Sequence, residues 1–172
     1  AENIAKRMEI SREEQDSYAV RSQQAAASAV ERGIFKDEIV PVEVKMGRNT
    51  IVVDADDHRR PETKLEDLAK LPPAFSKDGS VTAGNASGIV DGGAAVVLMS
   101  GESVKARGAR PLARIVNWEF VGVEPEIMGI GPVPAIQGVL KRENLTLADI
   151  DLIEINEAFA AQYPGCEKSL GL

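Results

Sequence analysis

The chain has 172 residues, 44% of them hydrophobic and 27% charged, an ordinary globular composition with enough apolar side chain for a core in one or two packed units. Its 20 Lys and Arg against 27 Asp and Glu give a formal net charge of -7, which argues against nucleic acid and anionic membrane as partners, since both reward a basic surface. A single cysteine, Cys166, excludes an internal disulfide, and no apolar run approaches the roughly 20 residues that span a bilayer.

In chain order, Ala1-Glu2-Asn3-Ile4-Ala5 already reads as helix, so the sequence is expected to begin inside an element, with no basic-then-apolar leader pattern. Ser11 with Glu14 three residues on is a capping-box pattern and predicts a helix start. Ala- and Gln-rich sequence without Gly or Pro then extends from Glu13 to Glu31, and Gly33 supplies the stop, giving a helix of about five turns that reads as scaffold. The β-branched stretches 38–44 and 49–53, separated by a Gly-Arg-Asn turn, predict a hairpin with Pro41 on an edge. A charged, Pro-punctuated loop region follows, carrying His58, Arg59 and Arg60 and a short helix at 64–70.

The turn Gly84-Asn85-Ala86-Ser87-Gly88 leads through Asp91-Gly92-Gly93 into the apolar run 94–99, expected to be a buried strand. Residues 102–107 read as helix ended by Gly108, with a domain boundary near 108–111, and residues 113–120 read as another strand. Gly129-Ile130-Gly131-Pro132 opens a helix to about Glu143, Thr146 caps a short turn, and residues 151–155 read as a strand. Asn156-Glu157-Ala158-Phe159 then stands at the end of that strand and the expected start of a helix, the position where open α/β folds hold ligands.

Several of these residues admit both a chemical and a plain structural role. The glycines at 84, 88, 92 and 93 permit close backbone approach to a ligand, yet lack the spaced dinucleotide fingerprint and equally fit an ordinary turn. His58 beside Arg59 and Arg60 is either a base with phosphate clamps or a solvated charged loop. Asn156 either offers an amide donor to a developing oxyanion or N-caps the next helix. Cys166 has no histidine near it in sequence and reads as an inert small residue. From Pro164-Gly165 a broken helix is expected, because Pro inside a helix removes a hydrogen bond and costs about 3 kcal/mol.

Five motifs in this order resemble thiolases from end to end: Ser11-Arg12-Glu13-Glu14-Gln15-Asp16, Phe35-Lys36-Asp37-Glu38-Ile39-Val40-Pro41, Thr82-Ala83-Gly84-Asn85-Ala86-Ser87-Gly88, Met128-Gly129-Ile130-Gly131-Pro132 and Asn156-Glu157-Ala158-Phe159-Ala160. Arg60-Pro61-Glu62-Thr63 followed by Lys70-Leu71-Pro72-Pro73-Ala74-Phe75 looks most like the mitochondrial 3-ketoacyl-CoA branch, and acetoacetyl-CoA thiolases share most of the pattern. The resemblance implies a layered α/β thiolase-like fold, with mixed sheets and an inserted loop domain, present incompletely. Residues 1–102 would form the later part of the first half with its loop domain, and residues 108–172 the start of the second half.

For the complete enzyme the resemblance implies acyl transfer in fatty-acid β-oxidation. 3-Ketoacyl-CoA and coenzyme A give acyl-CoA and acetyl-CoA through a covalent thioester, without metal or permanently bound cofactor. Carried over by motif, Arg60 and Thr63 would meet the nucleotide end of coenzyme A, Ser87 its pantetheine amide, and Phe75, Met128 and Phe159 its apolar groove. Asn156 would orient an oxyanion-hole water. The family's two catalytic cysteines and catalytic histidine match no residue here, neither Cys166 nor His58, so this chain alone is expected to turn over nothing. A homo-oligomer, dimer or tetramer, in the mitochondrion is implied, with the cytoplasm as the alternative location and with an acetoacetyl-CoA thiolase, a non-catalytic interaction module and an unrelated nucleotide-binding α/β domain as alternative functions.

Overall fold

Ser11 starts the longest helix as its spacing predicts. In the computed structural model, which describes residues 1–172, the Glu14 N–H donates to Ser11 Oγ at 3.1 Å and the Ser11 N–H donates to Glu14 Oε2 at 2.6 Å. Such a reciprocal cap is worth about 1 kcal/mol. Helix α2 then runs Arg12–Glu31 and ends where Gly33 takes up a left-handed φ of 70°. Before it, α1 (Glu2–Arg7) buries Ile4 and Ala5.

The chain divides into two compact units, residues 1–88 with 155–172, and residues 89–154. The first holds α1, α2, a 3-10 turn at Ile34–Asp37, strands β1 (Val42–Met46) and β2 (Asn49–Val53), α3 (Leu65–Leu68) and α6 (Gln162–Leu170). Its core is built from Ile4, Ala5, Ile10, Ala19, Leu68, Val81, Ala160, Ala161 and Cys166. The Glu2 carboxylate ties α1 to the chain before the 82–88 turn, accepting from the N–H groups of Ser80 at 3.0 Å and Val81 at 2.9 Å.

Strands β1 and β2 pair antiparallel from Val42↔Val53 to Met46↔Asn49. The ladder begins after Pro41, later than the expected residue 38, because proline has no N–H to give. The register sets Val42, Val44, Met46, Ile51 and Val53 on one side of the hairpin, and of these only Val44 is not exposed. The helix expected at 64–70 shortens to α3.

The second unit contains α4 (Gly101–Arg107), stopped by Gly108 at φ 59°, a 3-10 segment Pro125–Ile130, and α5 (Pro132–Glu143), which has a proline in its first turn as predicted. Thr146 and Asp149 cap the 3-10 turn Leu147–Asp149 with a second capping box. Val133 and Leu140 are its buried large apolar residues. Arg142 bridges to Glu119 at 2.5 Å and to the Trp118 carbonyl at 3.1 Å, fastening the segment before the 3-10 turn to α5.

Three strand expectations are corrected. Residues 94–99, 113–120 and 151–155 belong to no ladder, and the run at 94–99 is not buried: Val96 is 85% and Val97 82% exposed. β-Branched, apolar sequence favours extended backbone, but a strand exists only when a neighbour accepts its hydrogen bonds, and residues 1–172 offer these segments none. A further correction concerns Pro164. Helix α6 begins at Gln162, several residues later than expected, so Pro164 falls in its first turn, where the absent N–H costs nothing, and the helix continues to Leu170.

Candidate functional site

The first unit gathers most of the candidate binding residues around one helix. On α2, Arg12, Asp16 and Gln23 recur at intervals of four and seven and so share a stripe. Asp16 is 2% exposed, and its carboxylate accepts from Arg12 Nε at 2.7 Å and from Asn85 Nδ2 at 2.9 Å. Arg12 also donates to the carbonyls of Leu68 at 2.6 Å and Leu71 at 3.1 Å, so this buried charge is paired and hydrogen-bonded on several sides. Gln23 Oε1 accepts from the Arg60 N–H at 2.7 Å.

The 82–88 turn is shaped by Asn85, whose Oδ1 accepts from the Thr82 N–H at 2.8 Å while its Nδ2 also donates to the Ser80 carbonyl at 3.0 Å. Thr82 and Asn85 are buried and Ser87 is exposed, so the turn rests on a satisfied polar core and presents its serine outward. At Gly88 a Cβ would collide with the His58 imidazole, and at Gly84 it would lie 2.5 Å from Leu68 Cδ2. The turn is therefore glycine at these positions because neighbours press on it. His58 accordingly packs against Gly88, bringing the 58–63 loop to the turn.

In that loop the Arg60 carbonyl accepts from Thr63 Oγ1 at 2.7 Å and from the Thr63 N–H at 3.1 Å. Arg60 is exposed and forms no ion pair, leaving its guanidinium available to an anion.

Residues 156–160 lie against the turn through an antiparallel bridge between Ala86 and Phe159. Ser87 N–H donates to the Ala158 carbonyl at 3.0 Å, and Ala160 N–H donates to the Asn85 carbonyl at 2.8 Å. Phe159 meets Phe75 edge to face with ring centroids 6.3 Å apart, and Phe75 is 68% exposed, so the pair offers an apolar surface next to Ser87. Asn156 is exposed and makes no hydrogen bond through its amide, and α6 begins only at Gln162 with Ala161 as its N-cap. The capping role is thereby excluded and the amide stays available.

Glu157, to which the sequence alone assigns no role, accepts from Tyr18 Oη at 2.5 Å and Ser22 Oγ at 2.6 Å. Burial and the Glu157 carboxylate together push the Tyr18 phenol well above its ordinary range, so it stays a hydrogen-bond donor at any physiological pH. Tyr18 also stacks on Tyr163 at 5.0 Å. These contacts fasten the residue after Asn156 to α2. No local sequence signal marks them, because Tyr18 and Ser22 lie 139 and 135 residues from Glu157 in the chain.

Arg60, Thr63, Phe75, Ser87, Asn156 and Phe159 thus belong to the first unit, whereas Met128, 61% exposed, belongs to the second. Cys166 is fully buried and burial raises its thiol pKa, which suits a packing residue and not a nucleophile. No group of three or more His, Cys, Asp or Glu side chains is arranged to hold a metal ion, and no helix is long and apolar enough to cross a membrane.

Residues 1–102 match the family model for the thiolase N-terminal domain and residues 109–172 that for the thiolase C-terminal domain. Over 172 residues the chain is 55% identical to the mitochondrial 3-ketoacyl-CoA thiolase of Pongo abelii, covering 100% of this chain and 43% of that one. A crystal structure of the Bacillus anthracis acetyl-CoA acetyltransferase superimposes with a TM-score of 0.97 at 54% identity, covering 99% of this chain and 43% of its own. Human mitochondrial 3-ketoacyl-CoA thiolase in complex with CoA superimposes with a TM-score of 0.92 at 54% identity, covering 99% and 42%. The chain therefore has a thiolase-like fold and spans less than half the length of these relatives.

Proposed function

The chain belongs to the thiolase family, and we propose that it carries the coenzyme A side of a thiolase-type acyltransferase that converts 3-ketoacyl-CoA and coenzyme A to acyl-CoA and acetyl-CoA. The observation that carries this reading is the bridge between Ala86 and Phe159, which sets Ser87 beside the Phe75–Phe159 pair, with the 58–63 loop against the same turn through His58 and Gly88.

On this reading Arg60, on a turn closed by Thr63, takes the phosphates and adenine of the nucleotide end, where a planar guanidinium both pairs and stacks. Ser87 hydrogen-bonds the pantetheine amide, and Phe75 and Phe159 line the arm. Asn156, its amide uncommitted, orients a water toward the thioester oxygen as negative charge develops there. In the complete reaction a thiolate takes the acyl group and releases acetyl-CoA, and the sulfur of a second coenzyme A then accepts that acyl group. Residues 1–102 complete the first thiolase half with its loop domain, and residues 108–172 begin the second.

The comparable identity to a bacterial acetyl-CoA acetyltransferase favours, as a second reading, the same chemistry on acetoacetyl-CoA. We assign the degradative reaction to the mitochondrion because mitochondrial 3-ketoacyl-CoA thiolases are among the relatives that match over the whole chain.

Calorimetric titration of the chain with coenzyme A tests the reading. Binding is expected, weakened about tenfold by Arg60→Ala, which loses charge-assisted bonds, and less by Ser87→Ala, which loses a neutral one. No thiolysis is expected from the same samples, because the only thiol is buried and protonated. Wild-type chain that ignores coenzyme A would sink the proposal.

A further inference from the structure

We propose that Gln23 is a positioning residue that sets the nucleotide-binding arginine, making α2 a rigid spacer between the two ends of the coenzyme A site; this rests on the coenzyme A reading above. The helix grips the loop through the Gln23 Oε1 bond to the Arg60 N–H, and grips the 82–88 turn through the Asp16 bond to Asn85. The two attachment points stand seven residues apart on one face, about 10 Å along the axis. Asn85 lies two residues before Ser87, and Arg60 is itself the anion-binding candidate. One straight element therefore fixes the separation between a cationic point and a hydroxyl, as a ligand with phosphate at one end and an amide-bearing arm at the other requires.

The local hydrogen bonding supports the same conclusion. Both backbone groups of Arg60 are committed, the N–H to Gln23 and the carbonyl to Thr63, while its guanidinium forms no ion pair. An exposed loop whose backbone is pinned at the residue with the free charge is pre-organised, which lowers the ordering cost of binding. Without the Gln23 acceptor the charge remains but its position is no longer set.

The test compares coenzyme A with pantetheine, which lacks the nucleotide, on wild-type chain, Gln23→Ala and Gln23→Met. Methionine keeps the length and packing of the side chain without the acceptor, so it reports on positioning if the alanine variant folds poorly. Both variants are expected to bind coenzyme A about fivefold more weakly, the scale of one neutral hydrogen bond, with pantetheine affinity unchanged. Arg60 amide hydrogen exchange should accelerate in parallel. Equal losses for both ligands, or coenzyme A affinity unchanged, would overturn the positioning role while leaving the coenzyme A reading intact. Wild-type chain that binds neither ligand would overturn both.

Discussion

A carboxylate at 2% exposure is the strongest constraint at the residue scale. Asp16 collects donors from Arg12 and Asn85, and the network continues to the carbonyls of Leu68 and Leu71 and the N–H of Thr82. Asp16→Ala would leave one N–H of the Asn85 amide, whose other bond goes to the Ser80 carbonyl, and one edge of the guanidinium without an acceptor. Arg12 is partly reached by water, so the expected loss is about 2–3 kcal/mol, below the roughly 3–5 of a wholly buried pair. Urea unfolding measures it directly, and a loss under about 0.5 kcal/mol, the range of an ordinary surface substitution, would mean that the network does not hold the turn. In the amino-acid sequence Asp16 is legible only as part of a family motif, because nothing local marks a buried acid whose partner Asn85 lies 69 residues away.

At the element scale, α1 depends on pH through Glu2. Burial pushes its carboxyl up, but the N–H groups of Ser80 and Val81 and the Ser80 hydroxyl outweigh this, and its pKa lies below the ordinary carboxylate value. A depressed folded-state pKa contributes stability that is fully present above the unfolded value, about 4.3, and is lost as pH falls through the lowered one. Acidification through that window is expected to speed hydrogen exchange at the Ser80 and Val81 amides, and Glu2→Gln should flatten the dependence. An unchanged pH profile in the variant would show that Glu2 is not the titrating group. The capping boxes, the glycine stops after α2 and α4 and the proline opening α5 are all legible in the sequence, because each acts within a few residues. The start of α6 is not, since Asn156 is followed by residues held by the 82–88 turn and not by helix.

Across the whole molecule, the segments without ladders leave Val96, Val97, Ile115, Trp118 and Phe120 exposed, together with most of one side of the β1–β2 hairpin. Unpaired extended backbone carrying apolar side chains is a template for association. Sedimentation of the chain is therefore expected to show mass rising with concentration, whereas a monomer across the accessible range that unfolds in one cooperative step would contradict it. The net charge of -7 opposes this association weakly at physiological salt, where surface repulsion is screened within about 8 Å.

Sequence by itself determined α2, α4 and α5, the hairpin and, through ordered motifs, the thiolase family, because local backbone chemistry and family pattern are both written in contiguous residues. Tertiary structure alone decided which extended segments find ladder partners and which neighbours press on Gly84 and Gly88. It also turned a helix that reads as scaffold into the element holding the Arg60, Asn85 and Glu157 segments through Gln23, Asp16, Tyr18 and Ser22. Those contacts join residues far apart in the chain, and a hydrogen bond of 2.7 Å between residues 23 and 60 has no local signature from which it could be read.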